Sequence, residues 1–154
     1  VDACMRSLIK TGYLNFRMRA MLVSFASYHL WLHWRKPALY LAKLFTDYEP
    51  GIHYNQIQMQ SGTTGINTIR IYNPTKQGLD HDPEGVFIKK WIPELNDIPN
   101  NYIHSPWNAP IKLKNYPKPI VEEQKARKFS ADKIYSLRKD YGHRIIAKQI
   151  FEKH

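Results

Sequence analysis

Residues 70–95 read R-I-Y-N-P-T-K-Q-G-L-D-H-D-P-E-G-V-F-I-K-K-W-I-P-E-L, and the punctuation inside this stretch sets the architecture. Asp82-Pro83-Glu84 has the composition of a helix start. Asp offers an acceptor to the first free N–H groups, Pro sits where an N–H has no intrahelical partner, and Glu lies near the positive end of the dipole. The helix so begun runs to about Trp91 and stops at Ile92-Pro93, because the residue before proline disfavours helical backbone. Upstream, residues 2–10 predict a short helix ended by Thr11-Gly12. Residues 14–34 are apolar almost all round and predict a long helix deep inside a bundle. Pro37 suits the first turn of a further helix reaching Leu44 or Phe45. Residues 47–55, with Pro50-Gly51, read as a loop, 56–60 as a helical turn and 61–68 as a Gly- and Thr-rich loop. Downstream, prolines at 99, 106, 110, 117 and 119 predict an extended surface wrap. Helix returns from Glu122, with Ile134, Leu137, Tyr141 and Ile145 on one face and Lys and Arg opposite. The class is all-α, a helical bundle with long loops, divided into a bundle and wrap over 1–121 and a basic helical tail over 122–154.

Composition narrows the function classes. The chain has 154 residues, of which 43% are hydrophobic, enough for one domain with its own core and too apolar for a disordered segment. One cysteine, Cys4, excludes an intramolecular disulfide and any cysteine-only metal site. A reducing, cytoplasmic compartment is the expectation. The longest apolar run, 20–34, contains His29 and His33 and is too short and too punctuated to span a bilayer; no membrane partner is expected. The net charge of +10 is uneven: residues 111–154 hold 12 Lys/Arg against 5 Asp/Glu. Such an excess is the footprint of a polyanion partner, here concentrated in the tail.

The 70–95 stretch resembles the signature of the photolyase/cryptochrome family, in which an R-I-x-N-P turn leads through a D-P-x-G helix start to a W-x-P-E-L helix end. Similar segments flank it: V-D-A-C-M-R-S-L over 1–8, Gly12, R-M-R over 17–19, I-H-S-P-W-N-A-P over 103–110 and Y-P-K-P-I-V over 116–121. The resemblance covers 1 to about 128 and implies the C-terminal portion of the family's FAD-binding domain. It implies FAD as cofactor and DNA containing pyrimidine dimers as partner. The expected activity is a light-driven, deoxyribodipyrimidine photo-lyase-like electron transfer, with a cryptochrome-like blue-light photoreceptor or a cofactor-free DNA- or protein-binding module as alternatives. The family's N-terminal antenna domain and the first half of its helical domain do not lie in these residues, and the chain does not open with Met, so a fragment or a shortened relative is expected. The cysteines of one branch's iron–sulfur cluster are absent, and no metal is expected.

Residue by residue, the resemblance places Arg19 and Asp47 as a buried salt bridge beside the flavin. A fixed cation there stabilises negative charge on the pyrimidine side of a reduced ring. Glu49 falls at a second acidic position that shapes the adjoining loop. His53 stands where many relatives have Asn facing the flavin, and unlike Asn it can move a proton. Phe16 stands at a substrate-facing Asn position. Trp34 matches the middle member of an electron-carrying tryptophan chain. The member nearest the flavin falls on Ile57, which cannot be oxidised, leaving Trp31, Tyr54 and Tyr28 as substitutes. Arg17, Met59 and Arg70 align with positions that meet the lesion or its flanking phosphates, and Gly62 and Gly65 lie between the last two.

Overall fold

The computed structural model describes residues 1–65, 68–111, 113 and 115–139, and beyond these only 145, 146, 148, 149 and 152. Every regular element among them is helical. The first, α1 (Asp2–Thr11), ends at Gly12, whose left-handed backbone (φ 71°) lets its N–H return to the Leu8 carbonyl. The next, α2 (Phe16–Ser24), is capped by the Asn15 side chain, which accepts from the Met18 N–H, and it continues as one π turn over Phe25–His29. Then come α3 (Arg35–Ala42), α4 (Pro50–Gln60), α5 (Pro74–His81), α6 (Val86–Trp91), three short 3₁₀ turns, and α7 (Glu123–Lys139).

The apolar positions sort into two clusters that share α1. Cys4 and Leu8 join Leu14, Met21, Leu22 and Ile57 in the main core, where α2 and α3 both pack on α4. Ala3, one position off, joins Ile92, Leu95, Ile98 and Ile103. An ion pair binds the second cluster to the first: Arg6 Nη1 donates to both carboxylate oxygens of Glu94, each at 2.9 Å. Cys4 is buried, and desolvation raises its thiol pKa, so it is an inert core residue.

Several sequence expectations change. The long helix over 14–34 ends at His29. Trp31 takes a left-handed backbone (φ 53°) that no helix contains, so Trp31 is not a helical turn from Trp34. Of the loop expected over 47–55, residues 50–55 are the first half of α4. Glu49 caps it by accepting from the N–H groups of Gly51 (3.1 Å) and Ile52 (2.6 Å), with Pro50 in the first turn. Asn73-Pro74 opens α5, which the sequence reading left as a turn. The helix expected from Asp82 starts at Val86, because Gly85 is left-handed. Asp82 still caps it, accepting from the Phe87 and Ile88 N–H groups at 3.1 Å each. The proline-rich wrap buries Ile98 and Ile103, so it closes the second core as well as covering the surface.

The final helix docks. Its inner face runs through Glu123, Arg127, Ser130 and Ile134, and the buried Ser130 hydroxyl donates to the Tyr28 carbonyl in the π turn. His29 Nε2 lies 3.5 Å from Glu123 Oε1. Leu137 and Ile145, expected on the buried face, are exposed, and Tyr141 lies outside the described residues. Burial lowers the His29 pKa, against the opposing effect of Glu123. The unfolded chain therefore takes up that proton more readily, so His29 costs nothing above its unfolded pKa of about 6.5 and destabilises the docked helix as the pH falls below it. Ser130→Ala should cost about 1–3 kcal/mol by removing a buried donor from the Tyr28 carbonyl. Hydrogen exchange in 123–139 should rise more than in α1; equal protection in both proteins would show that the hydroxyl is not what holds α7.

Candidate functional site: a cleft between α2 and α4

A cleft of about 320 Å³ opens between the start of α2, the link after α3 and one face of α4, at the lower end of the roughly 300–1,000 Å³ typical of ligand pockets. The α4 face repeats at helical spacing: Glu49, Ile52, His53, Gln56, Ile57 and Gln60 all line it. Phe16 lies across from them at the first position of α2 and, like Ile52, is more than half exposed.

Arg19 is the most constrained group in the cleft. Its Nη2 donates to both Asp47 oxygens (3.0 and 2.7 Å) and its Nε to the Leu14 carbonyl (2.7 Å). The guanidinium also lies over the Phe45 ring, 4.1 Å from its centroid. The expected pair therefore forms, but at the rim and not buried, since the Asp47 side chain is 50% exposed. Nothing among the described residues covers the link that carries it. An ion pair so exposed contributes roughly 0–1 kcal/mol, so its consequence is positional: a cation held in one orientation at the mouth of an apolar cleft. The Arg19 hydrogen bond holds the Asp47 carboxyl below the usual carboxylate range.

His53, expected within the 47–55 loop, lies on α4. It is half-buried, edge-on to Phe45, Tyr48 and Tyr54 at 5.3–6.1 Å. Its Nε2 lies 2.9 Å from the Ala38 carbonyl, which only accepts, so Nε2 carries the proton and Nδ1 presents the lone pair. Glu49 caps α4 with its side chain, and its carbonyl accepts from the His53 N–H at 2.8 Å. Two glutamines escaped the sequence reading. Gln56 is the informative one, because its Oε1 is buried with no partner among the described residues. Its only sequence signal was helical spacing from His53, hidden by the loop assignment.

The other candidates do not line this cleft. Arg17 is exposed beside Phe16, and Met59 is half-buried beside Gln60. Arg70 is fixed by a residue the sequence reading missed. The fully buried Ser24 hydroxyl accepts from the Tyr72 N–H (3.0 Å) and donates to the Arg70 carbonyl (3.4 Å), leaving the Arg70 side chain exposed. This tether sits seven residues along α2 from Arg17, about 10 Å at 1.5 Å per residue. Trp34 packs against the main core and does not line the cleft. Gly62 turns inward: a Cβ there would lie 2.5 Å from the Tyr28 phenol oxygen, whereas one at Gly65 would meet nothing within 4 Å.

The cleft thus sets a fixed cation and an imidazole in apolar walls, beside a buried amide oxygen that has no partner among the described residues. The sequence matches the FAD binding domain of DNA photolyase over residues 1–136, and the chain belongs to that family. It is 38% identical to the deoxyribodipyrimidine photo-lyase of Escherichia coli over 133 residues, 82% of this chain and 28% of that one. It is 36% identical to cryptochrome-2 of Arabidopsis thaliana over 149 residues, 90% of this chain and 24% of that one. The archaeal photolyase from Sulfolobus tokodaii, whose crystal structure holds two FAD molecules, superposes with a TM-score of 0.80 at 35% identity, over 87% of this chain and 31% of that one. The chain thus spans about three-tenths of the length of the photolyases it matches. No helix among the described residues is long and apolar enough to cross a membrane.

Two outcomes test this geometry. Because its folded pKa is depressed, Asp47 should stay ionised and paired above the unfolded carboxylate value of about 3.9 and release Arg19 only as the pH falls through its lower folded value. A carboxyl-carbon NMR titration reads this directly; an ordinary midpoint would show that the clamp is not formed. Gly62→Ala should cost about 3 kcal/mol, combining left-handed strain with overpacking against Tyr28, and Gly65→Ala only the strain of about 1–2 kcal/mol. Thermal melting separates the two.

Proposed function

We propose that this chain forms the substrate-facing part of the flavin site in a DNA photolyase that repairs UV-induced pyrimidine dimers. The observation that carries the reading is the Arg19–Asp47 clamp, set beside the orphaned Gln56 oxygen in a cleft sized for a ring system. The residues fit the ring end of FAD. Arg19 offers a cation to an electron-rich edge, Gln56 an acceptor to a ring N–H, and Phe16 and Ile57 apolar surface. They do not fit the diphosphate, because Arg19 is the only Lys or Arg among the lining residues and its guanidinium is already engaged. The chemistry FAD supplies when bound is light-driven one-electron transfer to the dimer and back.

Beyond it, Arg17 at the start of α2 and Arg70 beside its far end offer two cations to phosphates, and Met59 offers a thioether to pack on a base. Trp34 remains the candidate for relaying electrons toward the site. Tyr54, whose ring lies 5.3 Å from the His53 ring, is a better intermediate than Trp31, which is half exposed. One observation favours the second reading, a cryptochrome-like photosensor: the Nδ1 lone pair of His53 equips the site to take up a proton, which the Asn expected there cannot do. A cytoplasmic location is proposed from the single buried thiol.

Light-dependent reversal of dimers by the full-length protein is the direct test, and its absence in an FAD-loaded protein would favour the photosensor. Arg70→Ala should weaken binding to damaged and undamaged duplex alike and reduce the slope of log K against log salt by about one unit; an unchanged slope would remove Arg70 from the DNA contact. A polypeptide of residues 1–154 should retain little FAD, since a partial site offers fewer contacts against the same association entropy. A stoichiometric yellow protein would show that these residues suffice.

A further inference from the structure

The surface where α7 meets the strap after the π turn has no part in the cleft, and its composition is unusual. Trp31 is 49% exposed and Phe129 is 50% exposed, yet they pack on each other, edge to face, with ring centroids 5.4 Å apart. The strap holds Trp31 there with a left-handed backbone, φ 53°, a conformation that a bulky side chain rarely adopts and that persists where surrounding structure enforces it. Burial alone gives little reason for it, since half of the indole faces solvent.

The charges around this pair are mostly positive once existing ion pairs are removed. Lys133 Nζ lies 5.8 Å from the centre of the Phe129 ring. Lys128 is exposed one residue before Phe129, and Arg35 and Lys36 are exposed in the first turn of α3, where the strap ends. None of these four has a carboxylate partner among the described residues. Two nearby acids are already engaged, Glu122 by Lys125 at 2.9 Å and Glu123 by Arg127 at 3.0 Å; Asp132 is exposed.

We propose that Trp31 and Phe129, with Lys133 and Lys128 beside them, form a second nucleic-acid surface that takes single-stranded DNA or RNA. Exposed aromatic faces give unpaired bases a stacking platform, and cations beside them meet the backbone phosphates; together they are the general means of holding a single strand without reading its sequence. A duplex presents its bases edge-on and would leave both rings uncovered. A lipid surface fits less well. Lys133 sits over the phenyl ring itself, so inserting that ring into hydrocarbon would carry an ammonium with it, whereas a phosphate would pair with it. The proposal stands apart from the flavin reading: neither Trp31 nor any α7 residue lines the cleft.

The test uses the full-length protein and a fluorescent, dimer-free oligothymidylate, with an undamaged duplex of equal length and phosphatidylserine vesicles as separate arms. Trp31→Gly and Phe129→Ala should each weaken oligothymidylate binding about tenfold, the loss expected for one stacked base. Lys133→Ala should reduce the salt slope by about 0.7, as for one phosphate of a single strand. Glycine adopts the Trp31 backbone without strain, which offsets part of the packing lost with the indole, so Trp31→Gly should keep the parent's helix content by circular dichroism at the assay temperature, and its binding loss is then not unfolding. Phe129→Ala should leave duplex affinity unchanged, whereas Arg70→Ala should lower it. Unchanged oligothymidylate affinity in both aromatic variants would overturn the proposal. So would vesicle binding that displaces the oligonucleotide, or single-strand binding lost in Arg70→Ala but kept in Trp31→Gly.

Discussion

The Ser24 hydroxyl, fully buried, ties the 70–95 stretch to the central helix. By accepting from the Tyr72 N–H and donating to the Arg70 carbonyl, it fixes where the chain re-enters the bundle after the 61–68 loop. Several features depend on that point. It holds the backbone of Arg70 at the far end of α2 from Arg17. It sits where regular α-helix gives way to the π turn, whose Leu30 N–H reaches back five residues to Phe25. Such turns insert one residue into a helix and so shift the faces that follow it. The shift presents His29 and the Tyr28 carbonyl to α7 while Arg19, further up the same helix, faces the cleft. One helix thus serves three neighbours, and the hydroxyl sits where they diverge. Two backbone hydrogen bonds to a buried side chain are worth about 1–3 kcal/mol together, modest in energy but decisive for register.

Energy and position are divided differently at the cleft. The apolar core that supports it supplies the stability, as Leu8, Leu14 and Ile57 are almost wholly buried. The polar groups that give the cleft its chemistry contribute little to folding. The Arg19–Asp47 pair is partly exposed, and Gln56 leaves a buried oxygen without a partner among the described residues, which opposes folding. That combination is characteristic of a site shaped for something other than the chain's own packing: a ligand that satisfied Gln56 would recover the cost of burying it. The exposed Phe16, Tyr13 and Ile52 around the mouth follow the same pattern.

How much of this was legible depended on whether a feature was local. The stop of α1 at Gly12 and of α6 at Ile92-Pro93 follow from backbone restrictions that a residue carries with it, and both were readable. So was the pairing of Arg19 with Asp47, because a resemblance placed them together, although their exposure was not. The start of α4 was missed because Glu is an uncommon cap and Pro50-Gly51 resembles a turn; the tertiary packing of Ile57 decided for helix. The end of the long helix at His29 was missed because a left-handed Trp31 has no sequence signature, and the partner it packs on, Phe129 in α7, lies about a hundred residues away in the chain. Ser24 and Ser130 were invisible for a related reason. A serine in an apolar helix reads as a small filler, and only the fold shows that each hydroxyl answers a backbone group on a distant segment. The start of α5 is a different case, since Asn73-Pro74 carries the same cap-and-proline signal that was read correctly at Asp82-Pro83.

His53 shows how one substitution in a family pattern changes what a site can do while keeping its shape. An amide at this position would offer a donor and an acceptor of fixed identity. The imidazole, with its Nε2 proton committed to the Ala38 carbonyl, presents one acceptor that becomes a donor on taking up a proton. Its aromatic neighbours, Phe45, Tyr48 and Tyr54, lie edge-on, so they restrict the ring's rotation without competing strongly for Nδ1. The tautomer is therefore set by α3 and the orientation by α4, while the charge on Arg19 stays fixed at the rim of the same cleft. An amide at this position would leave that cation with no neighbour able to carry a proton, whereas an imidazole sets such a group beside a permanent charge. In that respect the site departs most from an Asn-bearing one.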